Sequence, residues 1–373
     1  MTWIHRFLFF SLFFSSIIGE EKKNKHFLDG VTLGAFKLRS VGPALTSGRV
    51  SDFAVRPGKR HEYYVATASG GVWKTIDGGA TYKPVFDGQG SYSIGCITMD
   101  PNNPYTIWVG TGENNNQRSV GYGDGIYRSK DGGKTWEHKG LKDSQHIAKI
   151  IVDPRNSDIV FVAAIGPLWN EGGDRGLYKT KDGGQTWESK IEVDEHTGVT
   201  DLVMDPHDPD VLYAATYQRR RHVFTWMSGG PGSGLYKSTD GGESWDQLKT
   251  GLPSSIIGRI GLTISPANSD VVYAIIEAMD DKQGLYRSSN RGASWVKMSK
   301  YVTSGNYYQE IVAHPTEVNT VYSLSTYNMV TYDGGKTFGR LGEKNKHVDN
   351  HVMWIDPSDT DYLLVGCDGG IYE

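Results

Sequence analysis

The chain is poor in three features that would define other classes of protein. It has only two cysteines, Cys96 and Cys367, in 373 residues, too few for a disulfide scaffold or a cysteine-ligated zinc site. Its 39 basic and 43 acidic residues give a net charge of −4, and no long basic stretch supports nucleic-acid binding. The apolar run at residues 7–18 is too short to span a bilayer with ease.

The N-terminal apolar run instead has the flanks of a secretory signal peptide. His5 and Arg6 precede it, and Gly19 and a charged stretch follow it. We therefore predict a signal peptide at residues 1–19 and a linker at 20–35, with an uncleaved signal anchor as the alternative. The mature protein is expected to be secreted or periplasmic, without a membrane span after signal removal.

What the sequence does contain is a short pattern in six copies. Each copy has Ser or Thr, then Asp or Asn two residues later, then glycine, and it ends on an aromatic residue. The copies occupy residues 75–82 (TIDGGATY), 129–136 (SKDGGKTW), 180–187 (TKDGGQTW), 238–245 (STDGGESW), 288–295 (SSNRGASW) and 331–338 (TYDGGKTF). Repetition at a period near 50 residues indicates a solenoid, a propeller or an array.

The chemistry of the pattern is that of a tight turn between two strands. The Asp or Asn side chain can accept hydrogen bonds from nearby backbone N–H groups, and glycine supplies a positive φ. All six copies keep the second glycine, whereas the fifth has Arg291 in place of the first. The pattern therefore predicts a β-hairpin corner at which the second glycine is sterically required.

A second repeat counts the units as seven. Each unit has an apolar run that ends in a proline corner, at Pro57, Pro101, Pro154, Pro206, Pro266, Pro315 and Pro357. An aromatic strand, a GLYK-like strand, the turn and an outer strand follow each of the first six corners. Four strands in seven radial units predict an all-β fold, a seven-bladed β-propeller of antiparallel blades over residues 36–373.

The end of the sequence bears on the last blade and on the two thiols. Residues 370–373 match the GLYK-like strand, and the sequence stops where a seventh turn is expected. We therefore predict an incomplete last blade and missing downstream domains. Cys96 and Cys367 fall in units two and seven, so both are expected to be buried free thiols.

The six-copy pattern resembles the Asp-box, or BNR repeat, of sialidases, sortilin-type receptors and tandem-propeller xyloglucanases. Residues 39–55, 65–75, 90–96, 112–125, 217–223 and 346–357 resemble more closely a bacterial group described as sortilin N-terminal-domain or xyloglucanase-like proteins. The resemblance implies the propeller fold and either ligand binding or glycoside hydrolysis. It does not identify a ligand, because one fold hosts many functions.

Function is expected at the mouth of the propeller, which is built from the loops opposite the Asp-box corners. Three of those loops are long, and aromatic rings beside amides and guanidiniums suit a peptide, protein or glycan. The predicted binding residues are Arg49, Arg118, His146, Trp169, Arg175, Arg219, Arg220, Arg221, His222, Trp226, Arg259, Tyr308, Asn350 and His351. Their arginines suggest a partner with acidic or planar hydrogen-bonding groups.

A xyloglucanase-like hydrolase is the alternative, and it needs two carboxylates that flank the glycosidic bond. The candidates are Glu113, Asp349 and Asp368. In the xyloglucanases the first acid lies in a segment like R-T-D-x-G-G, and the corresponding position here is Ala68. The second acid belongs to a second propeller, so binding is the preferred interpretation.

Other chemistries have less support. A sialidase requires an F/Y-R-I-P segment and six blades, and residues 41–44 read VGPA instead. His146, His222 and His351 with Glu113 or Asp349 have no spacing diagnostic of a metal site. No cofactor, metal or nucleic-acid partner is predicted.

Overall fold

A computed structural model describes residues 48–373, which lie within one compact unit. The predicted signal peptide and linker lie outside the described residues. Twenty-eight strands form seven antiparallel sheets, and no cis peptide bond occurs in this part of the chain. None of its helices is long and apolar enough to cross a membrane.

The first three sheets each contain four strands in chain order. They consist of β1 (Val50–Val55), β2 (Tyr63–Thr67), β3 (Gly71–Thr75) and β4 (Lys83–Pro84); β5 (Ile94–Asp100), β6 (Asn103–Thr111), β7 (Ile126–Ser129) and β8 (Glu137–His138); and β9 (Ile147–Asp153), β10 (Asn156–Ala164), β11 (Gly176–Thr180) and β12 (Glu188–Ile191).

The next three sheets follow the same order, and the fourth has one additional strand. They consist of β13 (Thr197–Met204), β14 (Leu212–Arg221), β15 (Trp226–Ser228), β16 (Gly234–Ser238) and β17 (Asp246–Leu248); β18 (Ile257–Ile264), β19 (Val272–Ala278), β20 (Gly284–Ser288) and β21 (Val296–Ser299); and β22 (Glu310–Ala313), β23 (Val321–Leu324), β24 (Met329–Thr331) and β25 (Gly339–Arg340).

The seventh sheet has three strands among the described residues: β26 (Asn350–Ile355), β27 (Leu363–Cys367) and β28 (Gly370–Tyr372). The first strand of each sheet contacts the first strand of the next, and β26 contacts β1. These contacts close a ring around a channel. The protein is therefore a seven-bladed β-propeller, as the two sequence repeats predict.

Apolar side chains between neighbouring blades hold the ring together. Ala66 and Tyr64 of blade one pack with Ile97 and Ile107 of blade two, and equivalent clusters lie at the other junctions. Leu364 of blade seven packs in one cluster with residues of blade one and completes the circuit. Complete burial of one such large apolar side chain contributes about 1.5–3 kcal/mol to the free energy of unfolding. Both cysteines are buried and free, as predicted.

The Asp-box corners have the predicted turn structure. In the first copy the Thr75 hydroxyl accepts a hydrogen bond from Gly79 N at 2.9 Å, and Asp77 Oδ1 accepts one from Thr81 N at 2.9 Å. The other five copies repeat both bonds. Both box positions that glycine usually fills have positive φ, and Arg291 has a φ of 54° at the first. The second position differs because a Cβ there would lie against buried side chains.

Two of the box aromatic residues tie their blades to the preceding blade. Trp136 Nε1 and Trp187 Nε1 donate to Val85 O and Lys139 O, each at 2.6 Å, in the preceding blade.

The Asp-box also forms a hydrogen bond with the proline-corner end of its own blade, since Gly132 N donates to Tyr105 O at 2.8 Å. The Asp-boxes and proline corners therefore share one face of the ring. The opposite face, which we call the mouth, carries the loops after β2, β6, β10, β14, β19, β23 and β27 and the loops that enter each blade.

Candidate functional site

The centre of the mouth brings together residues from four blades. Arg49 precedes β1, Glu113 follows β6, Tyr307 and Tyr308 precede β22, and Asp368 follows β27. His351 lies at the register shift of β26, between Asn350 and Val352. A β-bulge at this position turns an extra side chain out of the regular pleat, which is a common device beside functional sites. We call Arg49, Glu113, Tyr307, Tyr308, Asp349, His351 and Asp368 the central cluster.

Arg49 connects two of the three carboxylates of this cluster, those of Glu113 and Asp368. Its Nη1 lies 2.6 Å from Glu113 Oε2, and its Nε lies 3.6 Å from Asp368 Oδ1. Arg49 Nε also donates to the Tyr307 hydroxyl at 3.0 Å, and the guanidinium carbon lies 4.7 Å from the centre of the Tyr307 ring. One guanidinium therefore fixes the relative positions of two acids and one ring.

Asp368 is the acceptor at the other end of this arrangement. The Tyr307 hydroxyl donates to its two oxygens at 3.2 and 3.1 Å, and His351 Nε2 lies 2.8 Å from Oδ1. Burial favours protonation of Asp368, but the hydrogen bond from His351 and the charge of Arg49 outweigh it and lower the pKa of the carboxyl. Burial lowers the pKa of His351. At neutral pH the pair is therefore an ionised Asp368 and a neutral imidazole that donates through Nε2.

Two aromatic contacts complete the cluster. The ring of Tyr308 stacks on His351 with centroids 5.7 Å apart, and the ring of Tyr307 meets His351 edge to face at 4.7 Å. The Tyr308 hydroxyl donates to Asp349 Oδ1. Tyr307, Arg49 and Asp368 keep part of their surface exposed, whereas Tyr308 is buried.

The backbone at the edges of the cluster is strained. Gln309 and Asp349 have φ values of 100° and 66°, in the left-handed region that favours glycine. Each such residue costs about 1–3 kcal/mol, and it persists where the surroundings fix it. Thr303 Oγ1 donates to Gln309 Oε1 at 2.6 Å, and Gln309 Nε2 donates to Arg259 O at 3.1 Å. Strain of this kind is concentrated at binding and catalytic sites.

The long loop after β6 crosses the mouth. We call residues 113–118 the strap. Asn116 N and Asn116 Nδ2 donate to Asn306 O and Gly305 O of blade six, at 2.9 and 3.2 Å. On its other side the strap contacts Arg219 of blade four, whose Nη1 donates to Asn115 O at 2.9 Å and also to Asn116 Oδ1. The strap therefore separates the central cluster from the loops of blades three and four.

The structure corrects the expectation of an arginine-lined mouth. Arg219 is fully buried, Arg175 is 4% exposed and Arg221 is 8% exposed. Among the residues that the structure describes, Arg175 donates only to backbone carbonyls of its own loop, those of Ile165, Pro167, Asn170 and Gly172. These side chains hold loops in place because a buried guanidinium can satisfy several carbonyls at once.

Three other predicted residues are also buried. His146 has no exposed surface, and burial lowers its pKa well below the usual value. Arg259 lies 3.3 Å from Glu310, and Asn350 donates to Ser325 O at 2.9 Å. The histidines His146, His222 and His351 form no group of potential metal ligands with Glu113 or Asp349 in residues 48–373. Glu171, Glu195 and His196 form such a group, with ligand atoms within 4.8 Å of one another.

Arg118 ends the strap, and the remaining predicted residues lie on its far side. Arg221 stacks on Trp226, with its guanidinium carbon 4.7 Å from the ring, inside a hairpin formed by β14 and β15. Arg220 Nη1 lies 2.6 Å from Glu171 Oε2, and Arg118 and His222 are exposed. Trp169 is partly exposed in the loop after β10. This group does not touch the central cluster directly.

Sequence reasoning missed a set of charges in the channel beneath the strap. Asp52, Lys149, Asp201 and Glu310 line a cavity of about 230 Å³, which Asn114 and His351 also border. Burial raises the pKa of Asp52 and of Asp201 to about 6, although Lys149 opposes this effect. Burial disfavours the charge of Lys149, but Glu310, Asp201 and Asp52 outweigh it and raise its pKa. No signal in the sequence points to these residues, because each is a single charged residue within the apolar run of an inner strand.

Comparisons with known proteins agree with this architecture. The Sortilin-Vps10 family model, described as sortilin, neurotensin receptor 3, matches residues 124–256. The chain is 23% identical over 362 residues to a probable oligoxyloglucan-reducing end-specific xyloglucanase of Neosartorya fischeri, a match that covers 83% of this chain and 41% of the enzyme. The chain thus spans less than half the length of that relative.

Solved structures share the fold at low sequence identity. The GH74 xyloglucanase from Xanthomonas campestris superposes with a TM-score of 0.62 at 16% identity and covers 87% of this chain and 52% of that one. YCF48 bound to D1 peptide superposes with a TM-score of 0.57 at 14% identity, covering 87% and 92%. The protein is a sortilin-like and xyloglucanase-like β-propeller.

Proposed function

We propose that this protein is a ligand-binding propeller that holds a glycan at the central cluster. The observation that carries the proposal is the partly exposed trio of Arg49, Tyr307 and Asp368, joined by hydrogen bonds of 3.0 to 3.2 Å. A tyrosine ring provides a stacking surface for the apolar face of a sugar. A guanidinium and a carboxylate beside it supply the donors and acceptors that sugar hydroxyls require.

The relatives support a glycan over other ligands. The enzymes with the matching sequences are named xyloglucanases. One solved neighbour is described as bound to a peptide, so a peptide ligand is an outcome that the experiment must be able to detect. Export of the mature protein, predicted from residues 1–19, stays a prediction, and a glycan outside the cytoplasm is consistent with it.

Hydrolysis of the glycan is the second candidate function. Arg49 contacts both Glu113 and Asp368, so a single guanidinium lies between the two carboxylates. Glycoside hydrolases separate their acids by about 5–9.5 Å, and one acid must carry a proton. Asp368 has a lowered pKa, and Glu113 Oε2 lies 2.6 Å from the Arg49 guanidinium, so neither carboxyl is placed as a proton donor. Ala68 stands at the position where an acid is expected in xyloglucanases. Its N–H donates to Arg49 O at 2.9 Å, so this position lies beside the cluster but carries no acid.

The test is a glycan and peptide array that contains xyloglucan oligosaccharides and other β-glucans, followed by calorimetric titration of the strongest binder. Tyr307→Ala should abolish most of the binding. Tyr332→Ala, an exposed tyrosine of the sixth Asp-box on the opposite face, is the matched control and should bind as wild type does. Release of reducing sugar would support hydrolysis. Selective binding of peptides, or equal binding by both variants, would contradict the proposal.

A further inference from the structure

Arg219 is an unusual residue for the place that it occupies. Its side chain is fully buried, yet within residues 48–373 its guanidinium hydrogen-bonds to no carboxylate. Burial and the neighbouring Arg175 both lower its pKa. A buried cation without a counter-ion destabilises the folded state, so the hydrogen bonds of Arg219 must offset this cost.

Those contacts all join different loops of the mouth. Arg219 Nη2 donates to Gly166 O at 3.1 Å in the loop of blade three. Its Nη1 donates to Asn115 O at 2.9 Å and to Asn116 Oδ1, both in the strap of blade two. Arg219 itself belongs to β14 of blade four. Arg219 therefore fixes the path of the strap relative to blades three and four, together with Arg221, whose Nε donates to Asn116 O at 2.7 Å.

Two routes lead from the strap to the central cluster. On the first, Asn115 Nδ2 donates to Glu113 Oε2 at 3.0 Å, and the same oxygen accepts from Arg49 Nη1 at 2.6 Å. On the second, Asn116 holds Gly305 and Asn306, which directly precede Tyr307. The orientation of Arg49 and the position of Tyr307 thus depend on the same two asparagines.

We propose that Arg219 is a positioning residue of the central cluster, which it controls through Asn115 and Asn116 although it lies on the other side of the strap. The proposal rests on the proposed function, because it assigns a role in the same ligand site. Arg219 does not touch the ligand. It holds Glu113 and Tyr307 where Arg49 can join them.

Arg175 provides a matched control for this role. It is also a buried guanidinium without a carboxylate contact, and it donates only to carbonyls of its own loop. Replacement of either arginine by methionine removes several hydrogen bonds from a buried site. Of the two variants, only Arg219→Met removes hydrogen bonds to the strap.

The experiment follows the Nε–H signal of Arg49 by NMR in ¹⁵N-labelled protein, assigned with Arg49→Lys. Because this N–H donates to Tyr307, its shift reports the geometry of the cluster without any ligand. Arg219→Met should shift or broaden the signal, Arg219→Lys should do so less, and Arg175→Met should leave it unchanged. With the xyloglucan oligosaccharide used as a probe, Arg219→Met should lower affinity by roughly tenfold, while Arg175→Met should not.

The outcomes separate this proposal from the proposed function. If wild type does not bind the probe but the Arg49 signal responds to Arg219→Met, the glycan assignment fails and the positioning role stands. If the signal is the same in folded Arg219→Met and wild type, the positioning role is wrong. Should Arg219→Met fail to fold, Asn115→Ala tests the same route, because it removes the donor to Glu113 and must also change the Arg49 signal. An unchanged signal in that variant would likewise overturn the proposal.

Discussion

Arg49, which directly precedes β1 of blade one, and Glu113, in the strap of blade two, form a 2.6 Å ion pair at the centre of the mouth. The side chains of both are largely buried, at 18% and 6% exposure, and both belong to larger hydrogen-bonded sets. The pair joins the strap to Tyr307 and Asp368. It therefore links the part of the protein that positions the site to the part that we propose contacts a ligand.

Removal of the Tyr307 hydroxyl should weaken ligand binding without loss of the fold. Tyr307→Phe keeps the ring but removes the group that accepts from Arg49 and donates to Asp368. Without these bonds Arg49 and Asp368 are no longer held in place for a ligand, and we expect binding measured by calorimetry to weaken by about 0.5–1.5 kcal/mol, the net contribution of one hydrogen bond. Tyr82→Phe is the control, since its hydroxyl bonds to Tyr63 at an Asp-box. Equal affinity of the two variants would show that the Tyr307 hydroxyl does not contribute to ligand binding.

The two glycine positions of an Asp-box should differ in their tolerance of alanine. Gly78 and Gly79 both have positive φ, but a Cβ on Gly79 would lie 2.8 Å from the hydroxyls of Tyr63 and Tyr82. A Cβ on Gly78 would meet nothing closer than His61 at 3.9 Å. We expect Gly79→Ala to cost about 1–3 kcal/mol more than Gly78→Ala, measured by denaturant unfolding. Equal midpoints for the two variants would show that the turn does not need the second glycine.

The charges of the channel predict the direction of a pH effect on stability. The pKa of Asp52 and of Asp201 is about 6 in the folded protein, above the unfolded value near 3.9, so the folded state binds more protons between these values. Stability from these groups is therefore present at pH 4 and is lost as pH rises to about 6. Relative to Asp201→Asn, wild type should gain about 1–3 kcal/mol of unfolding free energy between pH 7 and pH 4. A difference that is constant with pH would contradict the raised pKa.

Neither thiol should react in the folded protein. Burial raises the pKa of Cys96 and of Cys367, and reaction requires the thiolate. A chromogenic disulfide reagent at pH 8 should modify neither cysteine until denaturant unfolds the chain. Rapid modification of a native thiol would show that one of these sites opens to solvent.

The fold was predictable from sequence because its signals are local. Each Asp-box turn is closed by bonds that span four residues, such as Gly133 N to Ser129 Oγ, and each blade repeats that unit. The count of seven follows from the proline corners in the same way. The position of Arg49, Tyr308 and His351 near the mouth also follows, since they enter the first strands of their blades.

The details of the site depend on contacts that no repeat encodes. The strap bonds to Asn306, nearly 200 residues away, and it covers Arg219, whereas Arg118 at its end is exposed. In the sequence alone, Arg219, Arg220 and Arg221 are equally good candidates for contact with a ligand. The alternation of β14 and β15 places Arg220 outside and its two neighbours inside.

The central claim is that the ligand binds at the mouth, and backbone hydrogen exchange with and without a xyloglucan oligosaccharide tests it most directly. We predict slower exchange in residues 113–118 and 305–309, where the strap and the Tyr307 loop meet, and no change in the Asp-box turns. Slower exchange confined to the Asp-box face, or no change anywhere at saturating oligosaccharide, would contradict the account.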